Sequence, residues 1–363
     1  MAGRLARIEL HLLKVPLTAP YRLSFVDLHH VDALVVEAFD EAGRGAIGES
    51  TIQPGYTHET LEGAWNFIVA QAQALIGLPV AEAERLIAAA AEASPNAASA
   101  LATAVTELDA GPLPDSVRVP LLAPVHGEEG GHLVDEIEGL LAQGYRTLKV
   151  KAGFDLAADL RRVAAIQAAV GGRAALRIDA NGGFSRQQAL SFAARLDPVG
   201  IELLEQPCAA EDWEANAAVA RISPVPLMLD ESIYGPDDID RAAGLPGVRL
   251  IKLKLKKIGA PKDLATALAR IRGLGLTPVL GDGTGTDIAA WHEAAVAALA
   301  IDNAGEMNGF LKIARPLLKA GPRFHDGHLE IAAGLSPALD PEAVSLYRVR
   351  QFVATAEGQR GVA

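Results

Sequence analysis

The sequence predicts an α/β fold, a closed parallel barrel preceded by a smaller α+β domain. Three observations carry this. Five charged residues, Lys151, Asp179, Glu205, Asp230 and Lys254, recur at intervals of 28, 26, 25 and 24 residues. Each closes a short run rich in apolar and β-branched residues: TLKVK, ALRID, IELLE, PLMLD and RLIKLK. A turn signal and a helical stretch follow the first four runs, and a strand–loop–helix unit of this length is what a parallel barrel needs. Residues at the C-terminal ends of such strands converge on one mouth, so three carboxylates and two lysines share a pocket.

The elements follow in order. Residues 5–15 alternate apolar and polar, and DALVVEAFDEAGRGAIGES reads as two strands joined by a turn at Glu41–Gly45. Glu59–Ile76, Ala81–Ala93 and Ala97–Leu108 carry helical periodicity or alanine-rich helix formers. Gly111–Pro120, dense in Pro and Gly, reads as a linker. Beyond it, strands are expected to end near Val125, Lys151, Asp179, Glu205, Asp230, Lys254, Gly281 and Glu306. Helices fit Leu133–Gln143, Leu156–Val170, Arg186–Leu196, Asp212–Ile222, Asp237–Ala243, Lys262–Gly273 and Ile288–Ala300. Strict alternation implies a parallel sheet, and eight strands imply closure. The last forty or so residues read as a short strand and turns returning to the N-terminal part. The expected division is 1–115 for the capping domain, 116–320 for the barrel and 321–363 for the returning segment.

Composition narrows the classes of function. Half of the 363 residues are hydrophobic and the net charge is −12, with no basic stretch long enough to track phosphates, which disfavours nucleic-acid or anionic-membrane partners. The lone Cys208 cannot form an intrachain disulfide, and the N-terminus alternates like a strand where a signal peptide needs an apolar block. The expectation is a cytoplasmic enzyme-sized protein.

Three acids converging in a concave site repel one another, and a hard divalent cation removes that cost. Carboxylate oxygens suit octahedral Mg²⁺ better than zinc, for which no His/Cys set is present. The competing reading is that each acid caps the helix after it. Lys149 and Lys151 share one strand face. Lys252, Lys254 and Lys256 alternate with Ile251, Leu253 and Leu255, which turns the lysines toward the barrel interior, Lys252 as a deeper structural member. Lys149 and a metal beside Lys151 are expected to lower its pKa from ~10.4 toward the working pH, as a general base requires.

Together KVK at 149–151, DAN at 179–181, EQP at 205–207, DES at 230–232 and KLKKIGA at 254–260 resemble the enolase superfamily. Within it the resemblance is to the muconate-lactonising (muconate cycloisomerase) subgroup of the mandelate racemase/muconate lactonizing family. This implies a modified (β/α)7β TIM-like barrel with an α+β cap, in a homo-oligomer. It implies Mg²⁺, with Mn²⁺ as a substitute, held by Asp179, Glu205 and Asp230. Lys151 and Lys254 then resemble the two acid/base lysines on opposite faces of a substrate. The implied activity is an isomerase that abstracts a proton α to a carboxylate, giving a metal-stabilised enediolate. Its expected form is a racemase, epimerase or cycloisomerase of an N-substituted amino acid, an amino acid derivative or a muconate-like acid. The alternatives are a dehydratase (o-succinylbenzoate synthase-like, or acting on a hydroxy acid or hydroxyproline), a Schiff-base aldolase using the strand-six lysine, and a non-catalytic relative.

The chain departs from the family pattern in places. Dipeptide epimerases carry a DxD after the eighth strand, whereas Glu306-Met307-Asn308-Gly309-Phe310 lacks the second Asp and is closer to a cycloisomerase E-x-x-G. Glu306 is either an ordinary strand-end acid or a partner of the substrate carboxylate. Where mandelate racemases carry a His after the seventh strand, this chain has Gly281 and Asp282. The loop GDGTGTDI at 281–288 is either a tight turn or an anion site built of backbone N–H groups. Lys149, Asn181, Glu231, Asp282 and Glu306 are expected just behind the site. Tyr21, Phe25 and Tyr56 offer apolar walls from the cap, and Arg22, His29 and His30 offer polarity.

Overall fold

The computed structural model describes residues 3–22, 27–53, 58–127, 130–356 and 358–362. Strands β1 (Leu5–Arg22), β2 (Asp27–Asp40) and β3 (Gly45–Thr51) form an antiparallel meander. The β2–β3 turn is set by Asp40, whose Oδ1 accepts from the N–H groups of Ala42 and Arg44 at 3.0 and 2.9 Å. Helices α1 (Leu61–Leu75), α2 (Val80–Ala90) and α3 (Pro95–Thr106) follow, α1 capped by Thr60 and α3 opened by Pro95. Alternation places Ile8, Leu10, Leu12, Leu34, Val36 and Ala38 on one sheet face, where they bury against these helices. At Gly48 a Cβ would lie 1.9 Å from the Ala100 carbonyl oxygen, so glycine is what lets α3 lie on β3.

The expected linker is half strand. β4 (Val117–Pro120) buries Val117 and Val119 and pairs with a C-terminal hairpin, so their spacing was a strand alternation inside a Pro/Gly-rich stretch. Then come β5 (Ala123–Val125), α4 (Gly131–Ala142), β6 (Thr147–Lys151), α5 (Leu156–Val170), β7 (Ala175–Asp179) and α6 (Arg186–Arg195). They are followed by β8 (Ile201–Glu205), α7 (Trp213–Ile222), β9 (Leu227–Leu229), α8 (Pro236–Ala243), β10 (Val248–Leu253), α9 (Leu255–Ile258), α10 (Pro261–Gly273), β11 (Thr277–Leu280) and α11 (Asp287–Ala300). Strands β5 to β11 form one parallel sheet in sequential order.

The expected eighth strand near Glu306 is not a strand. Gly305 makes a single parallel bridge to Leu121. Gly305 N–H donates to Pro120 O at 2.8 Å, Leu122 N–H to Gly305 O at 3.0 Å, and Glu306 N–H to Leu280 O at 3.0 Å. These bonds join the two edges of the sheet and close the ring. Asp302, Asn303 and Gly305 are poor strand formers, which limits the pairing to this short seam. Arg177 supports it from inside, donating to Ala304 O at 2.8 Å while Glu202 holds its other nitrogens.

The C-terminal part holds more than one short strand. β12 (Arg323–His325) and β13 (His328–Ile331) form the hairpin that pairs with β4. After α12 (Pro341–Tyr347), β14 (Arg348–Thr355) and β15 (Gly358–Val362) extend the first sheet, whose order is β15-β14-β1-β2-β3. No helix among the described residues is long and apolar enough to cross a membrane.

Candidate active site

The period-two alternation of the barrel strands decides which residues look inward. Leu148, Val150, Ile178, Leu204, Leu229 and Ile251 belong to the core between strands and outer helices. The opposite set includes a small apolar cluster of Leu203, Met228, Leu250 and Val279. Above that cluster, at the C-terminal ends, this inward set is almost entirely charged.

Lys149 Nζ donates to Asp179 at 2.8 Å, Glu205 at 3.2 Å and Glu306 at 2.7 Å. Lys252 Nζ reaches Glu205 at 3.1 Å and Asp230 at 3.6 Å and pairs closely with Glu306. Lys151 donates to Asp179 Oδ2 at 2.7 Å and Asn181 Oδ1 at 2.6 Å, and Lys254 donates to Asp230 Oδ2 at 2.8 Å. Asn181 Nδ2 in turn donates to Glu231 Oε1 at 2.9 Å. The five residues of the ladder thus meet at one mouth, and Lys149, Asn181, Glu231 and Glu306 lie directly behind them. Glu306 sits among the barrel lysines as their counter-ion. Asp282 pairs with Lys256 at 2.5 Å and accepts from Thr284 Oγ1 at 2.8 Å. Of Tyr21 only the main chain is described, and Phe25 and Tyr56 lie outside the described residues.

One expectation about the lysines needs correction. Lys256 is not in the strand, because β10 ends at Leu253 and Lys254 is the N-cap of the one-turn helix α9. The protonation of Lys254 is set by its neighbour. Burial alone would lower its pKa, but the adjacent Asp230 outweighs burial and raises it. The same contest raises Lys149 and Lys252 well above the usual lysine value.

The acids divide accordingly. Burial opposes ionisation of Asp179, Asp230 and Glu306, but the surrounding lysines hold all three low. Glu205 is pushed up to about 7, by burial first and then by Asp179 beside it, in spite of Lys149 and Lys252. Glu231 is raised as well, by burial and then Asp230, and its Oε2 is buried without a hydrogen-bond partner. Two carboxyl groups at the mouth are therefore short of positive charge. Hard oxygen donors in that condition fit a divalent cation such as Mg²⁺. Among the described residues, the trio whose donor atoms all lie within 4.8 Å of one another is Glu9, His11 and Glu37, not the three acids of the mouth, between which the ammonium groups of Lys149 and Lys252 stand. His11 Nδ1 is buried there without a partner. Ligation through Nε2 would put an unsatisfied N–H at that atom, and this sheet-face cluster fits a metal poorly.

Several residues of the site were not singled out from sequence. Gln206 holds two loops together: Oε1 accepts from Asp230 N and Ser232 N at 3.1 and 3.2 Å, and Nε2 donates to Cys208 O and Ser232 Oγ at 3.0 and 2.8 Å. Its φ of 36° and the φ of 43° at Asn181 are two of the three positive-φ non-glycine positions among the described residues, and both sit at strand ends beside the acids. Lys257 donates to Asp230 O at 2.9 Å and Oδ1 at 3.3 Å. Where the glycine-rich loop runs into α11, it meets a carboxyl group of the chain itself. Glu49 of β3 accepts from Thr286 N at 2.9 Å, Thr286 Oγ1 at 2.6 Å and Ala289 N at 2.8 Å, capping α11 from the first sheet. The EQP and KLKKIGA motifs contained Gln206 and Lys257, but nothing local marks Glu49.

Comparison with known proteins agrees with this geometry. The Enolase C-terminal domain-like family matches residues 132–343. The L-Lys-D/L-Arg epimerase of Methylococcus capsulatus is 28% identical over 346 residues, covering 90% of this chain and 96% of that one. Muconate cycloisomerase 1 of Rhodococcus opacus is 29% identical over 372 residues, covering 94% and 97%. The crystal structure of the muconate lactonizing enzyme from Pseudomonas fluorescens, complexed with muconolactone, superposes with a TM-score of 0.83 at 25% identity, covering 96% of this chain and 100% of that one. With a parallel barrel, its charged mouth and a family match over more than half its length, the chain belongs to the enolase superfamily.

Proposed function

We propose that the chain is a divalent-cation-dependent isomerase that removes a proton α to a carboxylate, acting as a racemase, epimerase or cycloisomerase of a small carboxylic acid. One observation carries this reading: Lys151 ends β6 and Lys254 directly follows β10, and of the three strands between them two end in Asp179 and Glu205 and the third is directly followed by Asp230. Under this reading Asp179, Glu205 and Asp230 would hold the cation, with Asn181 and Glu231 behind them. When bound, the cation supplies the Lewis acidity that stabilises the charge a substrate carboxylate gains as its α-proton leaves.

The chain's own groups do the rest. One lysine Nζ takes the α-proton, and the other gives a proton to the opposite face of the same carbon. Net inversion needs both, whereas cycloisomerisation needs one, with the other supplying positive charge. Lys151, 21% exposed at its side chain, is the more open of the two, and Lys254 is 8% exposed. Asp230 keeps Lys254 protonated in the resting arrangement, so Lys254 is set to donate first and serves as base only after that carboxylate is engaged elsewhere. Buried Lys149 and Lys252 offset part of the charge of the acids before substrate enters.

The test is NMR in D₂O against N-acylamino acids, dipeptides, proline derivatives and muconates, following deuterium into Cα. EDTA is expected to abolish exchange, with no borohydride-trapped adduct. Lys151→Ala and Lys254→Ala should each silence exchange from one stereoisomer. Metal-independent trapping would sink the reading in favour of a Schiff-base aldolase. Intact exchange from both stereoisomers in either variant would refute the assignment of the lysines.

A further inference from the structure

The two candidate lysines are anchored in different ways. Lys151 lies within the β6–β7 ladder, opposite Asp179. The next residue, Ala152, donates its N–H to Asp179 O at 2.8 Å, and Arg162 donates to Lys151 O at 2.9 Å. Lys254 lies beyond its ladder. The last register pair of β10 and β11 is Leu253 with Leu280, and their last bond runs from Gly281 N–H to Leu253 O at 3.1 Å.

Just beyond these two strands the N–H groups of Leu255 and Asp282 both turn to one side chain. Glu293 of α11 accepts from Leu255 N at 2.9 Å through Oε1 and from Asp282 N at 3.1 Å through Oε2. It is 1% exposed, on a helix whose Ile288, Trp291, Ala294 and Ala297 are buried and apolar. A buried carboxyl group accepting two backbone donors is rigid, because loss of either bond strands an N–H away from water; burial first and then Asp282 push the pKa of Glu293 up to about 8, against those two bonds. It replaces the missing rungs at the point where the chain leaves β10 carrying Lys254. Asp282, tied by the same carboxyl group, pairs with Lys256, two residues past Lys254, which closes a short loop around the Lys254 backbone.

We propose that Glu293 is a positioning residue that sets Lys254, and not Lys151, against the substrate. This rests on the reading of the two lysines as proton-transfer groups. Glutamine at this position keeps the shape but presents one acceptor and one donor to two N–H groups, so one of the two ties is lost. Misplacement by a fraction of an ångström slows chemistry without changing binding.

The experiment measures deuterium entry at Cα separately from each stereoisomer, using a library carboxylate that the wild-type protein exchanges. Glu293→Gln should slow exchange from the stereoisomer silenced by Lys254→Ala by roughly 10- to 100-fold in kcat, with KM within about 3-fold. Exchange from the stereoisomer silenced by Lys151→Ala should change less than about 3-fold. Asp287→Asn is the matched control: this carboxylate on the same helix accepts from Leu317 N and Leu318 N at 2.9 and 2.8 Å, away from the strand ends. An equal loss for both stereoisomers in Glu293→Gln, or the same asymmetry in Asp287→Asn, overturns the proposal while the isomerase reading stands. A wild-type protein that exchanges no member of the library overturns both. If Glu293→Gln does not fold, Glu293→Asp is read by the same ratio, since it keeps the carboxyl group but is too short to span both donors.

Discussion

Glu49 reaches from the first sheet into the N-terminus of α11, and its protonation should be visible in the stability of the whole chain. Burial, opposed by its bonds to Thr286 and Ala289, pushes its pKa from 4.5 to about 7. An acid so shifted holds its proton about 3 kcal/mol more tightly in the folded chain than in the unfolded one. The sign follows from proton counting. Between these two values the folded state binds more protons than the unfolded state, so stability is fully present below 4.5 and is lost as pH rises through about 7. Glu49→Gln removes the titration and adds a pH-independent loss of about 1 kcal/mol for one broken hydrogen bond. Urea unfolding of both proteins at steps from about pH 5 to 8 gives the difference, in which groups common to both, such as Glu205 and Glu293, cancel. The wild type should lose about 2.5 kcal/mol relative to Glu49→Gln over that range. A difference flat to within about 1 kcal/mol would refute the argument and mean that the helix N-terminus, with its three donors, keeps Glu49 ionised throughout.

Three further outcomes follow from the same packing and charge arguments. Gly48→Ala should destabilise by about 2–4 kcal/mol, because its Cβ meets the rigid Ala100 carbonyl at 1.9 Å; a urea midpoint unchanged at constant slope would contradict this. Lys252→Met should cost about 3–5 kcal/mol at pH 8, since it leaves Glu205 and Glu306 buried with less compensation, and calorimetry would expose a neutral effect. If the mouth holds Mg²⁺, adding it should raise the melting temperature as for a ligand worth about 2.7 kcal/mol at a hundredfold excess over Kd. Asp230→Asn should remove that rise, and an equal rise in the variant would place the ion elsewhere.

Much of the architecture could be read from local pattern. Helix Leu156–Val170 was expected with the boundaries it has, and β6, β7 and β8 end at Lys151, Asp179 and Glu205 as expected. Their signals are short-range: an alternation, an N-capping Asp155, a terminal Gly171 in the left-handed region. The misreadings lie where tertiary context overrode such signals. A Pro-rich stretch became β4 because the β13 edge was there to pair with it. The Lys252–Lys256 alternation broke at Leu253 because the chain turns into α9.

The sequence by itself determined the repeat, the inward-facing charged set and the superfamily, because strand period and loop length are consequences of chain geometry and neighbouring side chains. Only the tertiary structure decided how the charges are shared. Lys149 meets Glu306 from 157 positions away, and Thr286 meets Glu49 from 237. Only the closed ring shows that Gly305 seals its edges, that Lys254 is held protonated by Asp230, and that Glu293 anchors the strand end that carries it. Such pairings depend on where packing brings distant segments, and burial sets their strength by removing the water that would otherwise screen them.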